Sequence, residues 1–297
     1  MMNYISHASK MTGRRLPVVR ALLMMSALFA LSSASAASNF VTPDGSSLVK
    51  TTIELPLQGV TLEYKANVRL LQVLDDANAS GSIGYFPLSA QLFDKTNTKV
   101  NESNKAIEAK KRNVFNQLDA FSVEEPEAKL VKQQLASFQY LNRVFIELDR
   151  NAVISQSDKN PLVVSNSNTN KSSAAIKRAS TSQTQAFSLY LPQRPTSIQL
   201  MGAMKESVTM NLIEHGTLND YLDALPNGFI GESADKSVAY VVQPDGVVQT
   251  IQYAYWNEQP VYLAPGAIVF MAFYSLPSEY STLNQDIVDL LRHKVGL

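Results

Sequence analysis

The sequence has no cysteine and only three histidines among its 297 residues. Without cysteine, the chain cannot form a disulfide, a thiol nucleophile, a thiolate metal site or a lipidated cysteine at a cleavage point. His7, His215 and His293 show no HxxxH or HExxH spacing, which argues against a histidine-based metal site. We therefore predict no metal and no other cofactor.

The sequence also has no excess of positive or negative charge, because 26 basic and 26 acidic residues give a net charge of +0. This balance does not point to nucleic acid or to an anionic membrane surface as a partner. The sequence contains no GxSxG elbow, phosphate loop or GxGxxG motif. A glycosidase, which needs two carboxylates placed across a cleft, stays open as an alternative.

The apolar run near the amino terminus is too short to span a bilayer, which takes about 20 residues. It covers Ala21–Leu31, follows Arg14, Arg15 and Arg20, and precedes the small residues Ala34–Ala36. This order is typical of a cleavable secretory signal peptide. We expect a signal peptide over residues 1–36 and a mature chain in the periplasm with no stable membrane span.

The clearest structural pattern is a β-hairpin followed by a buried strand. Val238–Val242 is β-branched and aromatic, Pro244–Gly246 favours a turn, and Val247–Tyr253 is the return strand. Ala267–Phe273 is fully apolar, which is typical of a strand that is buried on both faces.

Motifs in this stretch and beyond it resemble the carboxy-terminal domain of the GfcC/YjbG proteins, which are periplasmic proteins of capsule and exopolysaccharide operons. The motifs are AYVVQPDG (239–246), AYWN (254–257), a Pro-Gly turn (265–266), the apolar strand (267–273) and LNQDIVDLL (283–291). The resemblance covers roughly residues 47–295 and is strongest from Phe187 on.

Periodicity alone predicts an α+β fold. The resemblance implies two β-grasp-like domains, the first with an inserted helical hairpin and the second SLBB-like, plus a C-terminal amphipathic helix. The Ser/Asn/Thr/Lys-rich segment between the domains cannot offset its ordering entropy, which favours a linker or mobile loop. We place the first domain at residues 47–164, its hairpin insertion at 101–141, the linker at 165–185, the second domain at 186–280 and the helix at 281–297.

Local signals predict where individual elements begin. Asn67 and Thr217 are expected helix N-caps, and Thr282 opens a capping-box pattern. Alternating apolar residues over Leu141–Val153 predict a strand.

One apolar stripe runs along the final helix. We expect it to pack against the second domain and to be needed for stability, and a helix that swings out to a partner or membrane is the alternative. The stripe consists of Leu283, Ile287, Leu290 and Leu291.

Four residues are candidates for binding glycan or a partner. Arg143 matches an arginine that lies in a cleft in the family, and its fork of donors suits the carboxylates of an acidic glycan. A surface ion pair is the alternative for Arg143. Trp256, with Tyr255 and Asn257, could stack on a sugar ring and hydrogen-bond to it, and a core Trp is the alternative. We predict no catalytic residue.

The resemblance implies a non-enzymatic periplasmic factor for capsule or exopolysaccharide assembly or export. Its expected partners are the polysaccharide, outer-membrane export proteins of the same operon, or both. A periplasmic glycan-modifying enzyme is the alternative function.

Overall fold

The structure, a computed structural model, describes residues 50–96, 102–165, 184–259 and 261–296. The predicted signal peptide and all but the ends of the predicted linker lie outside these residues. The described elements are α+β, as predicted, and the β-grasp arrangement itself remains a prediction. Among the described helices, none has the length and apolar character that a membrane span requires.

The first sheet has five strands in the order β2-β1-β7-β4-β5. Strand β1 pairs antiparallel with β2 and parallel with β7, while β4 pairs antiparallel with both β7 and β5. A separate short ladder joins β3 and β6. The strands are β1 Thr51–Leu55, β2 Val60–Tyr64, β3 Val68–Arg69, β4 Gln91–Asp94, β5 Asn142–Val144, β6 Leu162–Val163 and β7 Gln185–Tyr190.

Helix α1 (Leu70–Ala79) covers this first sheet. Alternate residues of β1 are buried, as period-2 patterning requires, and Ile53 shares an apolar cluster with Leu74 of the helix. Helix α4 (Arg150–Ser155) adds Val153 to the same cluster.

The second sheet has the order β11-β10-β12-β8-β9. Every residue of the central strand β12 is buried, and β12 pairs parallel with β8 and antiparallel with β10. This confirms both the predicted hairpin and the predicted buried strand. The strands are β8 Ser197–Gly202, β9 Val208–Asn211, β10 Ala234–Val242, β11 Val248–Gln252 and β12 Ile268–Phe273, and helix α5 covers Leu218–Asp223.

The predicted helical hairpin is present as α2 (Glu102–Phe121) and α3 (Glu127–Ala136), and the final helix α6 spans Leu283–Leu291. The three helices share one apolar cluster with the second sheet, which includes Leu118, Leu135, Phe270 and Ile287. The hairpin therefore packs on the second sheet and on α6, in addition to burying its own two stripes.

Strand β7 differs from its expected place. We predicted that this segment would open the second domain, but it lies in the first sheet between β1 and β4. It pairs with β1 from Thr51↔Gln185 to Glu54↔Ser188, so the chain returns to the first sheet after the predicted linker. Apolar pattern alone does not say which sheet a strand joins.

Two helix starts and one strand also differ from expectation. Asn67 is not an N-cap, because Val68–Arg69 pairs with β6 and delays α1 until Leu70. Thr282 does not cap α6, since its hydroxyl donates to Asp286 from within a helical backbone conformation. Thr217 is the N-cap of α5, as predicted, and it forms a capping box with Asp220.

The strand predicted over Leu141–Val153 ends at Val144. The Asp149 carboxylate accepts a hydrogen bond from the Asn151 backbone N–H and caps α4, so the later residues turn into a helix.

Candidate functional site

Arg143 lies on strand β5 opposite Phe93 of β4 and is only 7% exposed. Its Nη2 donates to the carbonyl oxygens of Ala90, at 3.3 Å, and Pro244, at 2.6 Å. The side chain therefore connects the first sheet to the turn of the β10–β11 hairpin. None of the ion pairs among the described residues includes Arg143, so the surface ion-pair alternative is wrong.

A second guanidinium lies close to the first. Burial lowers the pKa of Arg143 to about 10, Asp245 opposes that shift, and Arg292 adds to it. The Phe145 ring centroid lies 5.5 Å from the guanidinium carbon of Arg143 and 4.6 Å from that of Arg292. Arg292 also donates from Nε to the carbonyl of Gly246 at 2.8 Å. Both guanidinium groups thus contact the same aromatic ring, which cation–π attraction favours, and both donate to the same turn.

The last residues of the chain align the strand that carries Arg143. The Leu141 N–H donates to the His293 carbonyl at 3.0 Å, and the Arg143 N–H donates to the His293 ring Nδ1 at 3.2 Å. Burial lowers the pKa of His293 to about 4, the contact with the Leu141 carbonyl opposes the shift, and nearby cations reinforce it. A neutral imidazole protonated on Nε2 accepts this hydrogen bond, whereas one protonated on Nδ1 donates to the Leu141 carbonyl, 3.2 Å from Nδ1.

Gly246 makes the close approach between turn and strand possible. Its φ is +88°, and a Cβ placed there would lie 2.5 Å from Cε1 of Phe145. The glycine of the Pro-Asp-Gly turn is therefore needed for the contact as well as for the turn.

Arg143 lines an open cleft of about 690 Å³, a volume within the range of small-ligand pockets. The lining combines apolar and aromatic side chains with one buried cation and three carboxylates. The lining residues are Phe86, Pro87, Leu88, Ala90, Arg143, Val144, Phe145, Ile146, Glu147, Leu148, Asp149 and Asp245.

All three carboxylates of the cleft accept hydrogen bonds from nearby groups. Glu147 accepts from the Asp149 N–H and from Lys159, Asp149 caps α4, and Asp245 accepts from the Val247 N–H. The backbone hydrogen bond from Asp149 lowers the pKa of Glu147, whereas a general acid needs a raised one.

Tyr255, Trp256 and Asn257 lie at the other end of the hairpin, about 14 Å along the strands from the turn that Arg143 contacts. Tyr255 is 97% and Trp256 77% exposed, so the core alternative for Trp256 is wrong. The side-chain oxygen of Asn257 is buried, with no hydrogen-bond partner among the described residues. The structure thus separates the four candidates into two places.

Sequence reasoning missed Phe145, Pro244, Arg292 and His293 as neighbours of Arg143. Phe145 could have been found, because positions i and i+2 of an extended segment share a face. The other three are about 100 to 150 residues away, and no local pattern connects them to Arg143. Within the part of the chain that the structure describes, no group of three or more His, Asp or Glu side chains could hold a metal ion.

Comparison with known proteins finds a family match in the carboxy-terminal region. Residues 206–296 match the family model described as "Capsule biosynthesis GfcC C-terminal". The chain is also 29% identical over 111 residues to "Uncharacterized protein YjbG" of Escherichia coli (strain K12). That match covers 37% of this chain and 44% of the relative, so it spans less than half of the relative's length. The resemblance predicted from the motifs is thus confirmed, and it is to the carboxy-terminal region of the GfcC/YjbG-type capsule biosynthesis proteins, over residues 206–296.

Proposed function

We propose that this protein is a non-enzymatic periplasmic factor for capsule or exopolysaccharide assembly or export. In this proposal, the Arg143 cleft contacts an acidic glycan or a protein of the export machinery. The observation that carries it is a buried guanidinium that lines an open cleft and has no ion-pair partner among the described residues. The family link to capsule biosynthesis supplies the biological setting.

The donors of Arg143 favour an anionic ligand. A guanidinium has five N–H donors, and among the described contacts only those on Nη2 donate from this side chain. The two carbonyl acceptors and the Phe145 ring fix the side chain, so its remaining donors are already oriented. With Nη2 engaged, the Nε–H and Nη1–H groups can still donate to the oxygens of a carboxylate or phosphate, and preorganisation reduces the entropy lost on binding.

The glycan-modifying enzyme is the competing proposal, because the cleft does contain three carboxylates. Glu147 is a poor general acid, since hydrogen bonds to its carboxylate favour the charged form. Incubating the purified mature protein with the host polysaccharide distinguishes the enzyme from the non-enzymatic factor. We expect unchanged chain length on a sizing column and no new reducing ends. Cleavage that disappears in an Asp245→Asn variant would favour the enzyme.

The proposed location rests on the leader pattern and is tested by cell fractionation. We expect mature protein that begins near Ala37 in the osmotic-shock fluid. Full-length protein that is retained in the inner-membrane fraction would contradict this location.

Deleting the gene tests the biological role. We expect a loss of surface polysaccharide on staining, restored by the wild-type gene on a plasmid. Unchanged polysaccharide in the deletion strain would contradict the proposed function.

A further inference from the structure

A second cleft, of about 620 Å³, lies beside the carboxy-terminal segment and shares no lining residue with the Arg143 cleft. It is formed by the chain after α3, by the segment leading into β8 and by the residues that follow α6. Its lining residues are Ser137, Phe138, Gln139, Arg194, Pro195, Thr196, Ser197, Ile198, Gln199, Thr209, Gly266, Ile268, Lys294 and Val295.

The lining of this second cleft is cationic and rich in neutral polar groups. Among the described residues it includes Lys294 and Arg194 but no aspartate or glutamate. Its hydroxyl and amide groups can each donate or accept a hydrogen bond, as the hydroxyls of a sugar require. These groups belong to Ser137, Gln139, Thr196, Ser197, Gln199 and Thr209.

Lys294 is a buried cation without an anionic partner among the described residues. It is only 6% exposed, and its Nζ donates to the Gly296 carbonyl at 3.1 Å and lies 4.9 Å from the Phe138 ring centroid. Taking an ammonium out of water is costly unless an opposite charge compensates. Burial accordingly lowers the pKa of Lys294 to about 8.

Arg194 supplies the second cation of this cleft. Its guanidinium carbon lies 5.4 Å from the Phe86 ring centroid, and among the described ion pairs none includes it. An anion in the cleft would therefore meet two cations of the lining and no competing carboxylate within the part of the chain that the structure describes.

We propose that this second cleft binds an acidic saccharide, with the sugar carboxylate against Lys294 and Arg194 and the sugar hydroxyls against the neutral polar side chains. The site goes beyond the proposed function, because it does not involve the Arg143 cleft.

Calorimetric titration of the mature protein with trigalacturonic acid tests this proposal, with maltotriose as the neutral trisaccharide and inorganic phosphate as the plain anion. We expect trigalacturonic acid to bind more tightly than either. Lys294→Gln should weaken its binding about tenfold or more, since a charge-assisted hydrogen bond is lost. Arg194→Gln should act in the same direction. Lys205→Gln removes an exposed lysine outside the lining and should change nothing.

Melting curves establish that each variant is folded, and Arg194→Gln keeps the test valid if Lys294→Gln is unstable. The titrations are repeated in an Arg143→Ala background, which removes any contribution of the Arg143 cleft. The effects of Lys294→Gln and Arg194→Gln should persist there, which separates failure of this site from failure of the proposed function. No binding of trigalacturonic acid at millimolar concentration would overturn the proposal. Equal affinity for maltotriose, or for phosphate, would also overturn it.

Discussion

The guanidinium of Arg143 donates to the carbonyl oxygen of Pro244 at 2.6 Å, across 101 residues of sequence. Arg292 donates to the carbonyl of Gly246 in the same turn. Strand β5, the hairpin turn and the end of α6 therefore meet at one point. The cleft depends on this junction, because Arg143 and Asp245 both belong to its lining.

Arg143→Ala should lower the free energy of unfolding by about 1–3 kcal/mol, since two carbonyl groups lose a charged donor. The protein should remain folded at 25 °C, because domains have roughly 5–15 kcal/mol of stability. Urea unfolding measures the change. Arg69→Ala is the matched control, because that exposed arginine also donates to a carbonyl, of Asn160, and should cost about 0.5 kcal/mol or less. Equal effects of the two substitutions would contradict the structural role of Arg143.

Gly246→Ala should destabilise the protein more than Gly228→Ala. Both glycines have positive φ, +88° and +70°, so both alanines carry backbone strain of roughly 1–2 kcal/mol. Only at Gly246 would the new methyl group meet a neighbour, the Phe145 ring, whereas nothing lies within 4 Å at Gly228. Melting temperatures of the two variants isolate the cost of the clash. If the Gly246→Ala and Gly228→Ala variants melted at the same temperature, the close contact between the turn and Phe145 would be contradicted.

Ile287→Ala should lower the free energy of unfolding by about 2–5 kcal/mol, because Ile287 is fully buried among α2, α6 and the second sheet. The melting temperature should fall by roughly 4–20 °C. Gln285→Ala, on the exposed side of the same helix, should change it little.

Truncation after Tyr280 is the harsher test of α6, and we expect it to prevent soluble expression or to lower the melting temperature by many degrees. A truncated protein that melts like the intact one would favour the alternative, a detachable helix that binds a partner.

The stability of the protein should fall as the pH drops from about 6.5 to 4. Burial lowers the pKa of folded His293 to about 4, so in this range the unfolded chain binds a proton that the folded chain does not. The unfolded state then binds more protons, and stability rises with pH across the window by roughly 1–3 kcal/mol. His293→Gln should show a shallower pH dependence of the melting temperature, and an unchanged slope would argue against this assignment.

The second sheet could be predicted from the sequence, because its signals are local. The turn at Pro244–Gly246 and the apolar strand β12 each depend on adjacent residues. The capping of α5 by Thr217 and Asp220 is local as well. The pairing of β7 with β1 and β4 was missed, since strand propensity does not encode a partner that is distant in the sequence.

The candidate site could be predicted only in part. Arg143 was identified through the family resemblance, and its burial and its contact with Pro244 depend on long-range packing that no sequence pattern reveals. The exposure of Trp256 was also not predictable, because an aromatic residue in a hairpin suits a core and a surface equally. The burial of Lys294 could not be predicted either, because it results from the packing of the carboxy-terminal segment against Gln139 and Tyr140.

Polysaccharide output in a deletion strain that carries Arg143→Ala is the most direct test of the Arg143 cleft as the functional site. Output should be lost at wild-type protein abundance, while Arg69→Ala restores it. Ile287→Ala should cost at least as much stability as Arg143→Ala but leaves the cleft lining intact. It should therefore also restore output under conditions in which the variant reaches wild-type abundance. Wild-type output from Arg143→Ala at equal abundance would contradict the account.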